Sequence, residues 1–436
     1  MTDVVEPGRD GLVGADDDVA RLRRCVVFGP GAEFDRLRPS HIESSRHASD
    51  GTLRANPDYL LFDDLVLTEA LADEHASLRD VIRAAVGDDN LLDLRDLLRR
   101  LLWPTAFRER VIAAVVDLEH DLFGVDISAS RTRLLELPPS SLADALISGV
   151  VPESGQQVLR WPMPNWLFAR DCFAVAANAI VVGYPRHRAR LRDGLLARAI
   201  VRYHPLLAGV DLIDLESGGE EPCFFEGGDL VLPAPSVALI GIGIRTNEAG
   251  AQVIAQALAD RGYKHVLGVR LPLRRGAMHL DTIFTMIDRD AAIVFPEAFD
   301  PRSAAEDRVE VIDLLDGGTS RGCDLVGALG RVGVSLTTIA CGDGDPIAAA
   351  REQWTDGANA FCLGPGRIVL YARNRVTLRA LNRAGYEILT PTEFCRNAEL
   401  LMAGSRRFVV ALTGFELSRG RGGPRCLTLP LARRRN

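Results

Sequence analysis

A cysteine near the end of the chain lies in a glycine-rich segment, Gly422-Gly423-Pro424-Arg425-Cys426. Glycine lets the backbone approach a ligand closely, and proline stiffens the segment that carries the sulfur. A thiol presented in this way could serve as a nucleophile. A single cysteine is more often a small buried core residue, so catalysis requires partner residues elsewhere in the chain.

Several acidic residues and one histidine could act with this thiol, and each stands close before an apolar run. They are Asp171, Glu226, Asp229, His279, Asp281 and Asp356. Paired carboxylates accept the N–H groups of a planar guanidinium. A thiolate could attack the guanidinium carbon, while a histidine protonates the departing amine and later deprotonates water. Glu226 near His279 would favour the imidazolium. Taken singly, each carboxylate could also be a turn or surface residue.

A repeated pattern of apolar runs predicts how these residues come together. Strand, turn and strand recur at residues 173–182, 230–241, 283–295 and 360–371. In several copies a helix and another strand follow, and the period of roughly 55 to 75 residues is typical of a radial, propeller-like repeat. Equivalent positions would then face one central cavity. The turn Leu61-Phe62-Asp63-Asp64, before an expected strand at 65–67, would contribute from the first unit.

The chain pattern divides the protein into three parts. Residues 1–19 are acidic and lack apolar periodicity, which predicts a mobile tail without function. Residues 68–149 carry apolar residues at steps of three and four, which predicts an inserted helical bundle. Within it, Ser141 followed by Asp144 favours a helix start. Residues 20–67 and 150–436 form the expected α/β catalytic domain.

Composition restricts the class of protein and the partners. The 436 residues are 47% hydrophobic and 25% charged, as in an ordinary globular protein. A net charge of −8 makes nucleic acid an unexpected partner. The eight cysteines have no zinc-type spacing, so we expect free thiols in a reducing cytosol and no metal or cofactor. There is neither a leader-like start nor an apolar run of about 18 residues, so we expect a cytoplasmic protein without a membrane partner.

Six stretches together resemble the arginine deiminases of the guanidine-modifying, or pentein, superfamily. They lie at residues 163–171, 225–229, 242–246, 279–285, 353–359 and 421–426, and the resemblance extends from about residue 22 to the end of the chain. It implies a five-fold pseudosymmetric α/β-propeller of ββαβ units with an inserted helical bundle. It also implies hydrolysis of L-arginine to L-citrulline and ammonia without metal or cofactor.

The same resemblance implies roles for individual catalytic residues. Cys426 would be the nucleophile that forms a covalent thiouronium intermediate, and His279 the general acid and base. Glu226 would orient and charge His279. Asp171 and Asp281 would hold the guanidinium nitrogens.

Other positions match residues with which the family binds the rest of the substrate. Asn165, Arg190 and Arg245 would bind the α-carboxylate. Asp229 would help to hold the α-amino end or its neighbours, and Phe168 would pack on the aliphatic stem. Arg421 would close the site as a gating residue. Arg190 lies in a run with Arg186, Arg188 and Arg192, so a solvated helical face is the competing interpretation there.

Some residues depart from the family pattern and leave alternatives open. Ala169 stands where threonine is usual, Cys172 stands where a small residue or proline is common, and residues 427–429 replace a run richer in methionine and serine. An amidinotransferase or a hydrolase of another guanidino compound therefore remains an alternative, as does a catalytically silent binding protein. A homo-oligomer is compatible with the sequence.

Overall fold

Short apolar runs, each ended by glycine, proline or a polar turn, form most strands of this mixed α/β fold. The computed structural model of the protein describes residues 12–215 and 222–434. Its helices are α1 Pro39–Ile42, α2 Thr68–Val86, α3 Leu94–Leu101, α4 Thr105–Phe123, α5 Ser128–Glu136, α6 Pro139–Ser148, α7 Ala169–Cys172, α8 Leu191–Tyr203, α9 Glu248–Ala259, α10 Leu325–Arg331, α11 Pro346–Trp354, α12 Arg375–Arg383 and α13 Pro391–Ala403. Its strands are β1 Arg21–Val27, β2 Ser45–His47, β3 Leu53–Ala55, β4 Leu91–Asp93, β5 Phe173–Ala176, β6 Ala179–Val182, β7 Asp211–Asp214, β8 Leu230–Ala234, β9 Val237–Ile242, β10 His265–Arg270, β11 Phe284–Asp288, β12 Ala291–Val294, β13 Glu310–Asp313, β14 Thr319–Ser320, β15 Thr337–Ala340, β16 Phe361–Gly364, β17 Arg367–Tyr371, β18 Glu387–Leu389, β19 Phe408–Leu412 and β20 Leu429–Arg434.

Five sheets share one pairing pattern, in which a middle strand pairs antiparallel with one neighbour and parallel with the other. The sets are β5-β6-β7, β8-β9-β10, β11-β12-β15, β16-β17-β19 and β20-β1-β4. Strands β13 and β14 extend the second set, and β18 extends the fourth. The four hairpins predicted from the apolar runs are therefore confirmed, with strand ends that differ by about one residue.

The hairpin strands have continuous apolar runs because both of their faces are covered. Every residue of β6, β9, β12 and β17 is buried. A strand that faces water on one side would alternate between apolar and polar residues instead. The polar residues that could do chemistry therefore lie in the turns that precede these strands.

The two ends of the described chain meet in one sheet. Strand β20 pairs antiparallel with β1, so that Leu429 lies opposite Val26. Cys426 lies three residues before Leu429. The strand that completes the sheet β20-β1-β4 therefore also fixes the position of the cysteine that precedes it.

The predicted mobile tail is wrong for residues 12–19, and residues 1–11 lie outside the described residues. The backbone N–H of Gly14 donates to the carbonyl of Leu431 at 2.8 Å, and Ala15 exchanges two hydrogen bonds of 2.8 Å with Ala177. Val19 is fully buried. The segment is ordered despite its low apolar content, because its backbone forms hydrogen bonds with residues that come much later in the chain.

The expected helical insert, residues 68–149, contains α2 to α6 and also the strand β4. Strand β4 pairs in parallel with β1, so α2 is the crossover between two strands of one sheet. The predicted helix start at Ser141 is wrong, because α6 begins at Pro139 and the Ser141 hydroxyl donates to Glu153. Among the described helices, none is long and apolar enough to cross a bilayer.

Residues 59–67, which include the strand expected at 65–67, adopt no strand or helix. The side chains of Leu60 and Phe62 are buried, which accounts for the apolar pattern. Leu61 adopts a positive φ of 59°, a conformation that interrupts an extended strand. This segment instead forms part of the wall of the site.

A carboxylate on α2 holds the chain that leads to the cysteine. Glu74 accepts the backbone N–H groups of Phe415, Glu416 and Leu417 at 2.9, 3.0 and 3.0 Å. A carboxylate that binds several N–H groups stabilises the turn that follows them. Helix α2 thereby fixes the start of the segment that carries Arg421.

Candidate active site

The polar residues singled out in the sequence lie in buried turns immediately before strands. Helix α7 precedes β5, the turn Gly227–Asp229 precedes β8, and the turn Leu280–Thr282 precedes β11. These turns carry Asp171, Asp229 and Asp281, and all three carboxylates are buried. Because a carboxylate is costly to bury without partners, each one needs a cation or a set of hydrogen bonds nearby.

His279 and Glu226 form a direct pair. The Nε2 atom of His279 lies 2.8 Å from Oε2 of Glu226, and Nδ1 lies 3.9 Å from Oδ1 of Asp171. Burial lowers the pKa of His279, but Asp171, Glu226 and Asp229 outweigh it and raise that pKa to about 9. The ring is therefore an imidazolium at neutral pH, able to donate a proton.

Glu226 is itself charged, although it is buried. Burial raises its pKa, but Arg245, Arg190 and His279 hold the pKa well below its ordinary value. A stable carboxylate at this position fixes the orientation of the imidazolium.

Cys426 lies in a confined, negatively charged environment. Its Sγ atom is 3.8 Å from Oδ2 of Asp281, and its backbone N–H donates to Oδ1 of Asn359 at 3.2 Å. Burial raises the pKa of this thiol well above its ordinary value, and Asp281, Asp171 and Asp356 raise it further. A cation bound among these carboxylates would offset them and favour the thiolate.

The glycines before the cysteine are required by space. A Cβ at Gly422 would collide with the ring of Phe168, and a Cβ at Gly423 would lie 2.6 Å from Oδ1 of Asn359. Close approach of this backbone to its neighbours sets the position of the sulfur. The sequence suggested that these glycines let the backbone approach a ligand, whereas the atoms that they approach in the structure belong to Phe168 and Asn359.

Asp171 and Asp281 each keep one unpaired oxygen. Oδ2 of Asp171 accepts from Arg190 at 2.6 Å, and Oδ2 of Asp281 accepts from Arg425 at 2.8 Å. The Oδ1 atoms of both are buried and have no hydrogen-bond partner among the described residues. Unpaired buried acceptors are uncommon in proteins, and here they lie near His279 and Cys426, where a cationic group could satisfy them.

Arg190 and Arg245 are drawn into the site by carboxylates. Arg190 is 3% exposed, and its Nη1 donates to Asp171 at 2.6 Å and to Glu226 at 3.0 Å. Arg245 donates to both oxygens of Glu226 at 3.1 Å. The solvated helical face considered for Arg190 is therefore wrong. In this structure the two guanidinium groups neutralise Glu226.

Asp229 has both of its oxygens engaged by the protein. Oδ2 accepts from the hydroxyl of Thr246 at 2.6 Å, and Oδ1 accepts from the backbone N–H of Leu280 at 2.9 Å. Burial raises the pKa of Asp229 to about 7. Its contacts support the turn that follows His279 rather than reaching into the cavity.

The remaining predicted residues line the cavity wall. The side-chain amide of Asn165 donates to the carbonyl of Leu60 at 2.6 Å, and the rings of Phe168 and Phe62 stack with centroids 6.1 Å apart. Arg421 has a positive φ of 65°, and its guanidinium lies 3.6 Å from the centre of the Trp354 ring. None of the three Arg421 guanidinium nitrogens has a hydrogen-bond partner among the described residues. The cation is thus held by the aromatic face.

One cavity brings most of the predicted site residues together. Its lining includes Asn165, Phe168, Asp171, Arg190, Arg245, His279, Arg421 and Cys426. Glu226 and Asp281 lie behind this lining and contact it at His279 and Cys426. Asp229 contacts Leu280, the residue after His279. The predicted residues therefore divide into a cavity surface and a supporting layer.

Sequence reasoning missed several residues of this region. Arg275 lines the cavity and donates to Asp63 at 2.7 Å, and Asn359 accepts the backbone N–H groups of both Arg425 and Cys426. Asn359 and Arg425 lie within the stretches 353–359 and 421–426, which resemble the family. Their position beside predicted site residues was the signal that could have identified them. Arg275 offered no comparable signal.

Asp171, Glu226 and His279 could also be considered as metal ligands, since their donor atoms lie within 4.8 Å of one another. Both carboxylates are already paired with Arg190, and Glu226 also with Arg245. Arg190 and Arg245 already occupy Oδ2 of Asp171 and both oxygens of Glu226, so these oxygens are not free to ligate a metal ion. The donor set fits an organic cation held with hydrogen bonds better than it fits a metal ion.

Replacing Glu226 by glutamine is expected to lower the pKa of His279 from about 9 toward its ordinary value of about 6.5. The carboxylate favours the imidazolium, and the amide does not. Because the pKa is raised in the folded state, this interaction stabilises the fold fully below about pH 6.5 and is lost as the pH rises through about 9. Proton NMR titration of the imidazole, assigned with His279→Asn, measures the change. The exposed substitution Glu248→Gln is the control, and an unchanged His279 pKa in Glu226→Gln contradicts the prediction.

Comparison with known proteins places this geometry in a family. The arginine deiminase family model matches residues 58–433. The arginine deiminase of Mycobacterium avium strain 104 is 32% identical over 443 residues, covering 97% of this chain and 98% of its own. The arginine deiminase of Clostridium perfringens strain SM101 is 28% identical over 453 residues, with the same coverage of the two chains.

A solved structure agrees with the fold. The amidinotransferase SxtG of Microseira wollei, from the saxitoxin biosynthetic pathway, superposes with a TM-score of 0.52 and covers 98% of both chains. Its sequence identity of 13% makes this a likeness of fold alone. The family model and the curated relatives carry the assignment, and on their evidence the chain belongs to the arginine deiminase family.

Proposed function

We propose that the protein hydrolyses L-arginine to L-citrulline and ammonia through a covalent thiouronium on Cys426. The observation that carries this proposal is the pair of buried carboxylates, Asp171 and Asp281, each with an unpaired oxygen beside a thiol and an imidazolium. A guanidinium presents planar N–H donors that suit two such acceptors. The family of the chain supports the same reaction.

Binding of the cationic substrate prepares the thiol. The guanidinium between Asp171 and Asp281 offsets the negative charges that raise the pKa of Cys426. The thiol then loses its proton to solvent, because His279 is already protonated, and the thiolate attacks the central guanidinium carbon. A C–S bond forms, and the carbon becomes tetrahedral and uncharged.

His279 supplies the proton for the first departure. The imidazolium, whose pKa is about 9, protonates one terminal nitrogen, and the C–N bond breaks to release ammonia. A thiouronium cation remains on Cys426, and His279 is left neutral. Glu226 holds the ring in position through both steps.

Water completes the reaction. Neutral His279 takes a proton from water as the oxygen attacks the thiouronium carbon. The C–S bond then breaks and the sulfur leaves as the thiolate. The hydroxyl proton passes to that sulfur and restores the thiol, and the carbon keeps the oxygen as the carbonyl of citrulline. The net change is the addition of one water to L-arginine and the loss of one ammonia, so no redox partner is needed.

The remaining residues bind the other end of the substrate. We assign Asn165, Arg190 and Arg245 to the α-carboxylate and Phe168 to the aliphatic stem. Arg190 and Arg245 must then exchange some of their bonds with Asp171 and Glu226 for bonds with the substrate. Arg421 closes the cavity as a gate, and Asp229 acts by supporting the turn after His279.

The architecture we propose is a five-fold α/β-propeller in which each shared-pattern sheet is one unit. The five sheets support this arrangement, because the middle strand of each pairs antiparallel on one side and parallel on the other. The propeller takes in residues 20–67 and 150–436, together with α2 and β4 from the segment first expected to be a separate bundle. Helices α3 to α6 then form the insert.

A test of the function is to incubate the purified protein with L-arginine alone and with an added primary amine. We expect citrulline and ammonia in equal amounts, independent of the amine, measured by colorimetric assay and by 13C NMR of the ureido carbon. Formation of ornithine and an amidinated amine would identify an amidinotransferase instead. No product with arginine would contradict the proposed function.

A further inference from the structure

Asp18, in a segment expected to be a mobile tail, contacts the catalytic cysteine's neighbour Arg425. We propose that Asp18 and Arg425 are positioning residues that set the orientation and charge of Asp281 for the substrate guanidinium. The inference deepens the proposed function and rests on it. Asp18, Arg425 and Asp281 together form a triad.

A single guanidinium links the two carboxylates of the triad. Nη1 of Arg425 donates to Oδ2 of Asp281 at 2.8 Å, and Nη2 donates to Oδ2 of Asp18 at 2.8 Å. Nη2 also donates to the carbonyl of Leu230 at 2.7 Å. The planar fork of arginine fixes both carboxylates relative to one another, which a lysine could not do.

The contacts of Asp281 determine which oxygen remains for a ligand. Oδ2 accepts from Nη1 of Arg425 at 2.8 Å and lies 3.8 Å from Sγ of Cys426, so this oxygen already has two protein contacts. Oδ1 is buried and unpaired among the described residues. Arg425 therefore holds the carboxylate with its free oxygen available for a substrate N–H group.

The charge of the triad matters as much as its shape. Asp281 is fully buried, and a simple pair with Arg425 would be neutral. Asp18 adds a second negative charge, so that the triad as a whole carries one. Arg170 and Arg433 also act on Asp18, so removal of the Asp18 charge makes the surroundings of Asp281 less favourable for a cationic substrate.

Asp18 remains charged in this environment. Burial raises the pKa of Asp18, but Arg425, Arg170 and Arg433 outweigh it and hold the pKa below its ordinary value. Its backbone N–H donates to the carbonyl of Leu232 at 2.8 Å. The pairing of the segment with β8 therefore delivers a fixed carboxylate behind the catalytic cysteine.

A structural role and an electrostatic role predict different binding results. If Asp18 only stabilised the fold, its loss would weaken every ligand alike. If it sets the charge at Asp281, its loss would weaken a cationic guanidinium but spare the uncharged ureido group of citrulline. The two ligands are otherwise nearly the same size and shape.

The experiment uses the full chain carrying Cys426→Ser, which allows binding without turnover. Calorimetric dissociation constants for L-arginine and L-citrulline are compared with and without Asp18→Asn, a substitution that keeps the side-chain shape. We expect the arginine constant to rise on the order of tenfold and the citrulline constant to change less than about twofold. Asp16→Asn, an exposed neighbour in the same segment, is the matched control and is expected to change neither.

Equal weakening of both ligands, or no weakening of arginine, would overturn the proposal. A thermal melt of each variant checks that the fold persists. If the wild-type protein releases no citrulline and the Cys426→Ser protein binds no arginine, the proposed function fails and the triad's role fails with it. If wild type is active and Asp18→Asn alone shows no selective loss, only the inference about Asp18 fails.

Discussion

Replacing Cys426 by alanine is expected to reduce citrulline release by about four to six orders of magnitude, to the background rate. The sulfur forms the only covalent bond to the substrate in the proposed reaction, and no other side chain in the cavity lining offers a comparable nucleophile. The fold is expected to persist, because the substitution removes one atom from a site whose walls are held by other contacts. Citrulline assays at saturating arginine measure the loss.

A matched control separates the nucleophile from thiols in general. Cys395 is exposed on α13, and Cys395→Ala is expected to keep full activity. Rapid acid quenching of the wild-type enzyme during turnover, followed by peptide mass spectrometry, is expected to find the amidino adduct on the peptide that contains Cys426. Sustained turnover in Cys426→Ala, or an adduct on another cysteine, would refute the assigned role.

Replacing His279 by alanine is expected to lower kcat by about two to four orders of magnitude while arginine binding persists. The departing nitrogen then lacks its proton donor and the later water lacks its base. Binding is retained because the guanidinium is held by Asp171 and Asp281, not by the imidazole. Turnover assays and calorimetric binding of L-arginine to His279→Ala measure the two effects separately.

His120, exposed on α4, supplies the control histidine, and His120→Asn is expected to leave kcat unchanged. The double substitution Cys426→Ala with His279→Ala should be no slower than Cys426→Ala alone, since residues that act on one intermediate are not additive. Retained turnover in His279→Ala would remove the residue from its role. Loss of arginine binding would show that the imidazolium belongs to the binding site instead.

Charge balance links these two predictions. The ligand-free site holds carboxylates and guanidinium groups in close pairs, and the thiol and imidazole are both protonated at neutral pH. In the proposed reaction, a cationic substrate offsets the carboxylate charges that raise the pKa of Cys426. The same electrostatics would then favour a guanidinium and activate the nucleophile.

The local pattern of the sequence was sufficient for the hairpins and for the position of the chemistry. Continuous apolar runs interrupted by polar turns identified β5-β6, β8-β9, β11-β12 and β16-β17. These signals are local, since a buried strand needs apolar residues on both faces and its turn needs polar ones. The same reasoning placed Asp171, His279 and Asp281 just before strands.

Residues 12–19 and 59–67 were misread because their structure depends on partners far away in the chain. The first segment lacks an apolar period but pairs with residues 177, 232 and 431. The second has apolar residues yet forms an irregular wall with Leu61 at positive φ. Local propensity is a weak guide where distant backbone groups supply the hydrogen bonds.

By itself, the sequence determined which residue types could act on a guanidinium and that they precede strands of a repeated unit. Only the tertiary structure decided which carboxylate pairs with which cation. Arg190 and Arg245 bind Glu226, Asp229 supports a turn, and Arg425 joins Asp281 to Asp18. The physical reason is that a buried charge is stabilised only by groups within a few ångströms, and at Cys426 those groups come from opposite ends of the chain.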